Sequence, residues 1–180
     1  HSNLIGTYNV FEAARRSDIT CVVFASSNHA VGGYEVEGAP SIYEKNDPRV
    51  YDETVAIRPD SLYGVSKAYG EALGRYYSDA FGMRVYCLRI GTVRADDNPR
   101  DPSVANGSFW LNLTTEQKFE RMQATWLSKR DAADLIAACI NAKDVNYAIV
   151  YGISDNSRKF WNISNAKELL GWAPKDSAPA

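Results

Sequence analysis

Tyr63 and Lys67 stand four residues apart in the run YGVSK. On a helix that spacing puts both side chains on one face, one turn apart. An ammonium held beside a phenol favours the phenolate. A phenol activated in this way can accept a proton from a hydroxyl while hydride leaves the same carbon. Gly70 and Gly74 continue the face, and small residues there would let a cofactor or a neighbouring backbone approach closely. A bare Tyr-x-x-x-Lys match also occurs on ordinary surface helices, so its setting has to carry the argument.

The elements around the pair supply that setting. Residues 20–26 form a short apolar run rich in β-branched side chains, which reads as a strand buried on both faces in a parallel sheet. It ends in Ala25-Ser26-Ser27, and ligands of open α/β sheets bind at the carboxyl ends of strands. Ser27 could there hold a reacting oxygen beside Tyr63. Residues 27–60 read as a long loop at the rim of a site. Ser61 is placed to cap a helix running to Phe81, with Leu62, Val65, Tyr69, Leu73, Tyr76 and Ala80 on one side and Gly82 ending it.

Upstream, residues 3–16 read as an amphipathic helix on the spacing of Leu4, Tyr8 and Phe11. Downstream, residues 83–91 read as a second buried strand and 93–120 as polar and irregular. Ser128-x-x-Asp131 resembles a capping box before a helix that turns Leu135, Ile136, Cys139 and Ile140 inward. Residues 147–154 read as a third strand. Ser164 is expected to cap a last helix that Gly171 stops. Strands alternating with helices predict an α/β fold: a partial doubly wound, Rossmann-like parallel sheet with helices on both faces, forming one partial domain over residues 1–180. A dinucleotide-binding fold of this kind should begin with strand, glycine-rich turn and helix. This chain begins inside a helix and has no G-x-G-x-x-G. The sequence therefore reads as lacking its N-terminal cofactor-binding βαβ units, with the 20–26 strand left as an unpaired apolar edge. Alone, the chain is expected to be neither fully stable nor active.

Bulk properties exclude several classes. Of the 180 residues, 45% are hydrophobic and 23% charged, and the net charge is −2. Nothing here suggests binding to nucleic acid or to a membrane surface. Cys21, Cys87 and Cys139 are widely spaced within apolar runs and read as buried, reduced thiols. His1–Asn3 carries no signal peptide, and sequons at Asn106, Asn112 and Asn162 matter only in a secreted protein, so a cytoplasmic location is expected. Trp110, Trp126, Trp161 and Trp172 read as packing or lid residues.

The runs VVFASSNHAVGG, RPDSLYGVSKAYGE and VYCLRIGT resemble extended short-chain dehydrogenases. Within that group, SSNH, RPDSLYGVSK, LRIG and ERMQATWLS look most like uronate dehydrogenases, and the terminal AKELLGWAPKD is similar to the end of the extended fold. The resemblance implies NAD as cofactor and oxidation of a hexuronic acid at C1 to its aldonolactone. It makes Tyr63 the general base, has Lys67 hold the nicotinamide ribose, and has Ser27 orient the C1 hydroxyl. It matches Asn28, His29 and Thr92 to substrate contacts, Arg121 to a bidentate grip on the uronate carboxylate, and Asn3 to a position near the cofactor. Thr92 stands where that group usually has serine, and segments 33–57 and 93–120 are longer than its counterparts. Expected partners are a small sugar acid and, among macromolecules, a second copy of the chain. A nucleotide-sugar epimerase uses the same Tyr, Lys and Ser and stays open, as does a non-catalytic or truncated interaction protein on the same fold.

Overall fold

The structure, a computed structural model, describes residues 2–107 and 111–179. Trp110 lies outside the described residues. Among them, three strands form one parallel sheet in the order β1-β2-β3: β1 (Cys21–Ser27), β2 (Arg84–Ile90) and β3 (Tyr147–Gly152). Ser27 is in register with Ile90, which also faces Gly152, so the strands end together.

Side chains on β2 alternate between two apolar layers, as a strand buried on both faces requires. Val85 and Cys87 join Phe11 of α1 (Ser2–Arg16) and Tyr77 of α3 (Leu62–Phe81). Tyr86 and Leu88 join Leu135 and Cys139 of α5 (Lys129–Asn141), together with Ala166 of α6 (Ser164–Leu170) and Trp172. Helices thus cover both faces, as the sequence predicted. A third apolar cluster gathers Tyr151 of β3 with Val31, Ile42, Tyr43, Phe160 and Trp161 among others. The described tryptophans Trp126, Trp161 and Trp172 are buried packing residues. The three cysteines are free, with Cys87 and Cys139 buried and Cys21 half-buried.

Several local expectations are corrected. β1 is buried on both faces only at its end: Cys21–Phe24 are half-buried and Ala25 is exposed, because β1 is an edge strand among the described residues. On α1, Leu4 and Tyr8 are exposed and Phe11 alone is buried. On α3 the apolar side is largely outside, with Leu62, Val65, Tyr69 and Tyr76 exposed. The buried side instead carries Gly64, Ser66, Gly70, Glu71, Gly74, Tyr77 and Ser78. Small residues there let the helix lie close on the sheet. A Cβ at Gly70 would collide with the Phe24 ring, and one at Gly74 would press on Val85, so these glycines answer to side chains of the sheet. In α5, Leu135 and Cys139 face inward but Ile136 and Ile140 are exposed.

The two segments read as irregular contain helices. Residues 27–60 hold a short 3-10 turn at Asn28–Ala30, the helix α2 (Gly33–Gly38) and a second turn at Ser41–Tyr43. Residues 93–120 hold a turn at Pro102–Asn106 and the start of α4 (Thr115–Thr125). A full capping box opens α4: Thr114 accepts from the Gln117 amide while the Gln117 side chain accepts from the Thr114 amide. At α5 only half of the expected box forms. Ser128 caps the Asp131 amide, but the Asp131 carboxylate accepts from Ser154 Oγ and the amides of Lys175 and Asp176. Ser164 does not cap α6 but is its first residue; Ile163 stands at the N-cap without a side-chain cap bond, and Asn162 Oδ1 accepts from the Ser164 amide and hydroxyl. Gly82 and Gly171 end their helices with φ of 66° and 67°, as glycine at that position should.

Candidate active site

The carboxyl end of β1 and the first turns of α3 meet at one place. Ser61 is the N-cap of α3 and accepts from the Gly64 amide at 3.1 Å. Gly64 lets that turn dock, because a Cβ there would collide with the His29 carbonyl oxygen. Tyr63, beside it, is carried against the 3-10 turn. Its ring and the His29 imidazole meet edge to face with centroids 5.7 Å apart. About half of Tyr63 remains exposed, so a ligand can reach the phenol.

Lys67, one turn on, reaches back to β1, where Nζ donates to the Ala25 carbonyl at 2.7 Å. It lies 5.4 Å from the centre of the Tyr63 ring and 5.3 Å from that of Phe24. Burial lowers the pKa of its ammonium below that of a free lysine. Tyr63, Lys67 and the strand end are therefore brought together as expected. Ser27 is buried there, accepting from the His29 amide at 3.3 Å and donating to Asn28 Oδ1 at 3.3 Å. Asn28 is buried in the same turn.

Asn3 joins from α1. Its Nδ2 donates to Ser66 Oγ at 3.1 Å, and Ser66 donates to the Tyr63 carbonyl at 2.7 Å. Two grooves adjoin it. One, of about 330 Å³, runs between α1 and β1 to Lys67; the other, of about 530 Å³, runs past Tyr63 and Ser66. Asn3 lines both grooves, Lys67 the first and Tyr63 the second.

His29 is held by a residue that motif reading passed over. His29 Nδ1 and Asp60 Oδ2 are 2.6 Å apart. The backbone sets this contact up: Gly33 N donates to Arg58 O, and Arg58 N donates to Ala30 O, so the two stretches run side by side. Burial would push the Asp60 carboxyl up, but hydrogen bonds from His29 and from Ser61 Oγ outweigh it and keep the carboxyl below its ordinary value. An ionised Asp60 makes Nδ1 the donor in this bond. Asp60 stands immediately before the Ser61 cap, a position that could have drawn attention in sequence.

Thr92 and Arg121 are joined through α4. Thr92 Oγ1 and Thr125 Oγ1 are 3.0 Å apart, and Thr125 Oγ1 donates to the Arg121 carbonyl at 3.0 Å. The Arg121 guanidinium is buried, however, and already holds a carboxylate. Its Nε donates to Glu35 Oε1 at 2.6 Å and its Nη2 to Glu35 Oε2 at 3.2 Å. The fork that the resemblance assigns to a substrate carboxylate is occupied here by Glu35, from α2. Burial works against the Arg121 charge, and Glu35 more than offsets it. Nothing local marks Glu35, 86 residues away in sequence.

A family model described as the NAD dependent epimerase/dehydratase family matches residues 1–150. The chain is 42% identical over 178 residues to an NAD-dependent glucose-6-phosphate dehydrogenase of Haloferax volcanii, covering 98% of this chain and 61% of that protein. It is 38% identical to a uronate dehydrogenase of Agrobacterium fabrum, covering 99% of this chain and 55% of that one. A crystal structure of uronate dehydrogenase from Agrobacterium tumefaciens superposes with a TM-score of 0.76 at 36% identity, covering 98% of this chain and 54% of that one. The chain thus spans somewhat over half the length of these relatives.

Proposed function

The chain belongs to the NAD-dependent epimerase/dehydratase family, and from that premise we propose that the intact protein is an NAD-dependent dehydrogenase that oxidises the anomeric carbon of an aldose. The observation that carries this reading is the convergence of exposed Tyr63, the Lys67 ammonium and buried Ser27 at the carboxyl end of β1. Tyr63 accepts the proton of the C1 hydroxyl. Lys67, held on the Ala25 carbonyl, sets its ammonium 5.4 Å from the centre of the Tyr63 ring. Ser27 orients the hydroxyl, and Asn28, His29 and Thr92 contact the sugar.

The residues present suit a nicotinamide cofactor, since Asn3, Tyr63 and Lys67 border open grooves at the strand end. Lys67 and Tyr63 would hold its ribose, with Asn3 beside them. When bound, NAD supplies the acceptor for the hydride that leaves C1. Loss of that hydride and of the hydroxyl proton turns a cyclic hemiacetal into a lactone.

Two substrate classes follow from the relatives. Similarity to uronate dehydrogenases and the match at Arg121 support a hexuronic acid, glucuronate or galacturonate. The Glu35–Arg121 pair favours a second reading, an aldose with no carboxylate, and the Haloferax relative is named for such a sugar. The test is a panel of glucuronate, galacturonate, glucose, galactose and glucose 6-phosphate with NAD and the intact protein, followed by absorbance of reduced cofactor. Turnover accompanied by lactone formation supports C1 oxidation. A folded protein that binds NAD yet oxidises none of these sugars refutes it.

A further inference from the structure

We infer that Glu35 is an internal counter-carboxylate that fills the Arg121 fork and directs the protein toward aldoses carrying no carboxylate. The inference rests on the C1 dehydrogenation proposed above and narrows its substrate class.

The pair has the geometry of carboxylate recognition. Two nitrogens of one guanidinium meet the two oxygens of one carboxylate, at 2.6 and 3.2 Å. Both side chains are almost wholly buried, at 6% and 0% exposure. Tyr43 Oη adds a third hydrogen bond, donating to Glu35 Oε1 at 2.8 Å. Burial and the neighbouring Glu35 charge push the Tyr43 phenol up, so it remains a donor.

The pair is also fixed to the site from both sides. Arg121 sits one helical turn before Thr125, which contacts Thr92 just beyond β2. Ile90, two residues before Thr92, is in register with Ser27. Glu35 sits in α2, whose first amide, Gly33 N, donates to Arg58 O at 2.8 Å beside the His29–Asp60 contact. A carboxylate of the protein therefore stands where the sequence led us to expect one from the substrate.

A hexuronate has two routes to Arg121, and each is costly. It can displace Glu35, which strands a buried carboxylate without its cation, or it can enter beside Glu35, which sets two like charges together in a dry place. A neutral aldose meets neither obstacle. Glu35 and Tyr43 both lie in segment 33–57, one of the two segments whose length sets the sequence apart from its uronate dehydrogenase resemblance.

The test uses the intact protein, its Glu35→Gln variant, which removes the charge but keeps the volume, and Glu35→Ala, which opens the space. For the matched pairs glucuronate against glucose and galacturonate against galactose, kcat/KM is measured with NAD. The expected result is a parent enzyme that prefers the neutral sugar, and a ratio that moves toward the hexuronate by on the order of tenfold or more in the variants, the scale of one charged contact. A structural role alone would lower both rates together. Thermal melting with sodium formate against sodium chloride gives a second reading: formate should raise the midpoint of Glu35→Ala and leave the parent unmoved. A parent that prefers hexuronates, or a ratio unchanged in Glu35→Gln, overturns the inference. If no sugar is oxidised by the parent, C1 dehydrogenation fails, and the formate experiment still decides whether the fork takes a free carboxylate; no formate effect in Glu35→Ala overturns that too.

Discussion

Ser26 Oγ donates to Glu71 Oε1 at 2.6 Å, joining the residue next to Ser27 to the helical turn after Lys67. Glu71 is buried, and the Arg89 guanidinium of β2 completes the knot with bonds of 3.0 Å to each carboxylate oxygen. This network clamps α3 to β1 and β2 and so sets the spacing between Tyr63, Lys67 and Ser27. Glu71→Ala would leave Arg89 buried without its partner, which costs about 3–5 kcal/mol. Urea unfolding should show that loss, with a much smaller one in the double variant Glu71→Leu/Arg89→Met.

Tyr63→Phe separates chemistry from folding. The ring is about half exposed, and its contact with His29 is made by the ring edge, which phenylalanine retains. Melting should therefore be unchanged, while kcat for the sugar falls by roughly 10²–10⁴-fold, the range for losing a positioned base. A variant that keeps full turnover would remove Tyr63 from the proton-transfer step.

Asp60 links the site to acid stability. Its carboxyl lies below its ordinary value of 3.8 in the folded protein. Folding therefore favours the carboxylate. The contribution is complete above 3.8 and is lost as pH falls through the lower folded value. Asp60→Asn should be less stable than the parent at pH 7, with the gap closing as the pH falls from 3.8 through the lower folded value, where both carry a neutral group. Denaturant titrations at pH 7 and across that fall check this. A rise in KM larger than the change in kcat is expected alongside, because His29 loses its orienting partner.

Gly70→Ala tests how α3 lies on the sheet. A methyl group there meets the Phe24 ring, which neighbours Lys67. Overpacking of this kind costs about 1–3 kcal/mol. Replacing Phe24 by Leu in the same chain should recover part of the loss, and melting curves of the single and double variants measure it.

The amino-acid sequence by itself determined the α/β class, the three strands, the helix α3 with its Ser61 cap and Gly82 stop, and the Tyr63–Lys67 spacing, because each rests on local periodicity or on spacing within one element. The Thr114-x-x-Gln117 box that opens α4 was equally local and could have been read. Which side of α3 faces inward was not legible in the sequence, since hydrophobicity marks a core face only when large apolar residues fill it; here glycines and a buried Glu71 do so, because the helix lies close on Phe24 and Val85. The partners of Arg121 and His29 were decided by tertiary structure alone. Glu35 and Asp60 arrive from segments 86 and 31 residues distant. A carboxylate pairs with whichever cation the folded backbone sets beside it, and that proximity has no periodicity along the chain to reveal it.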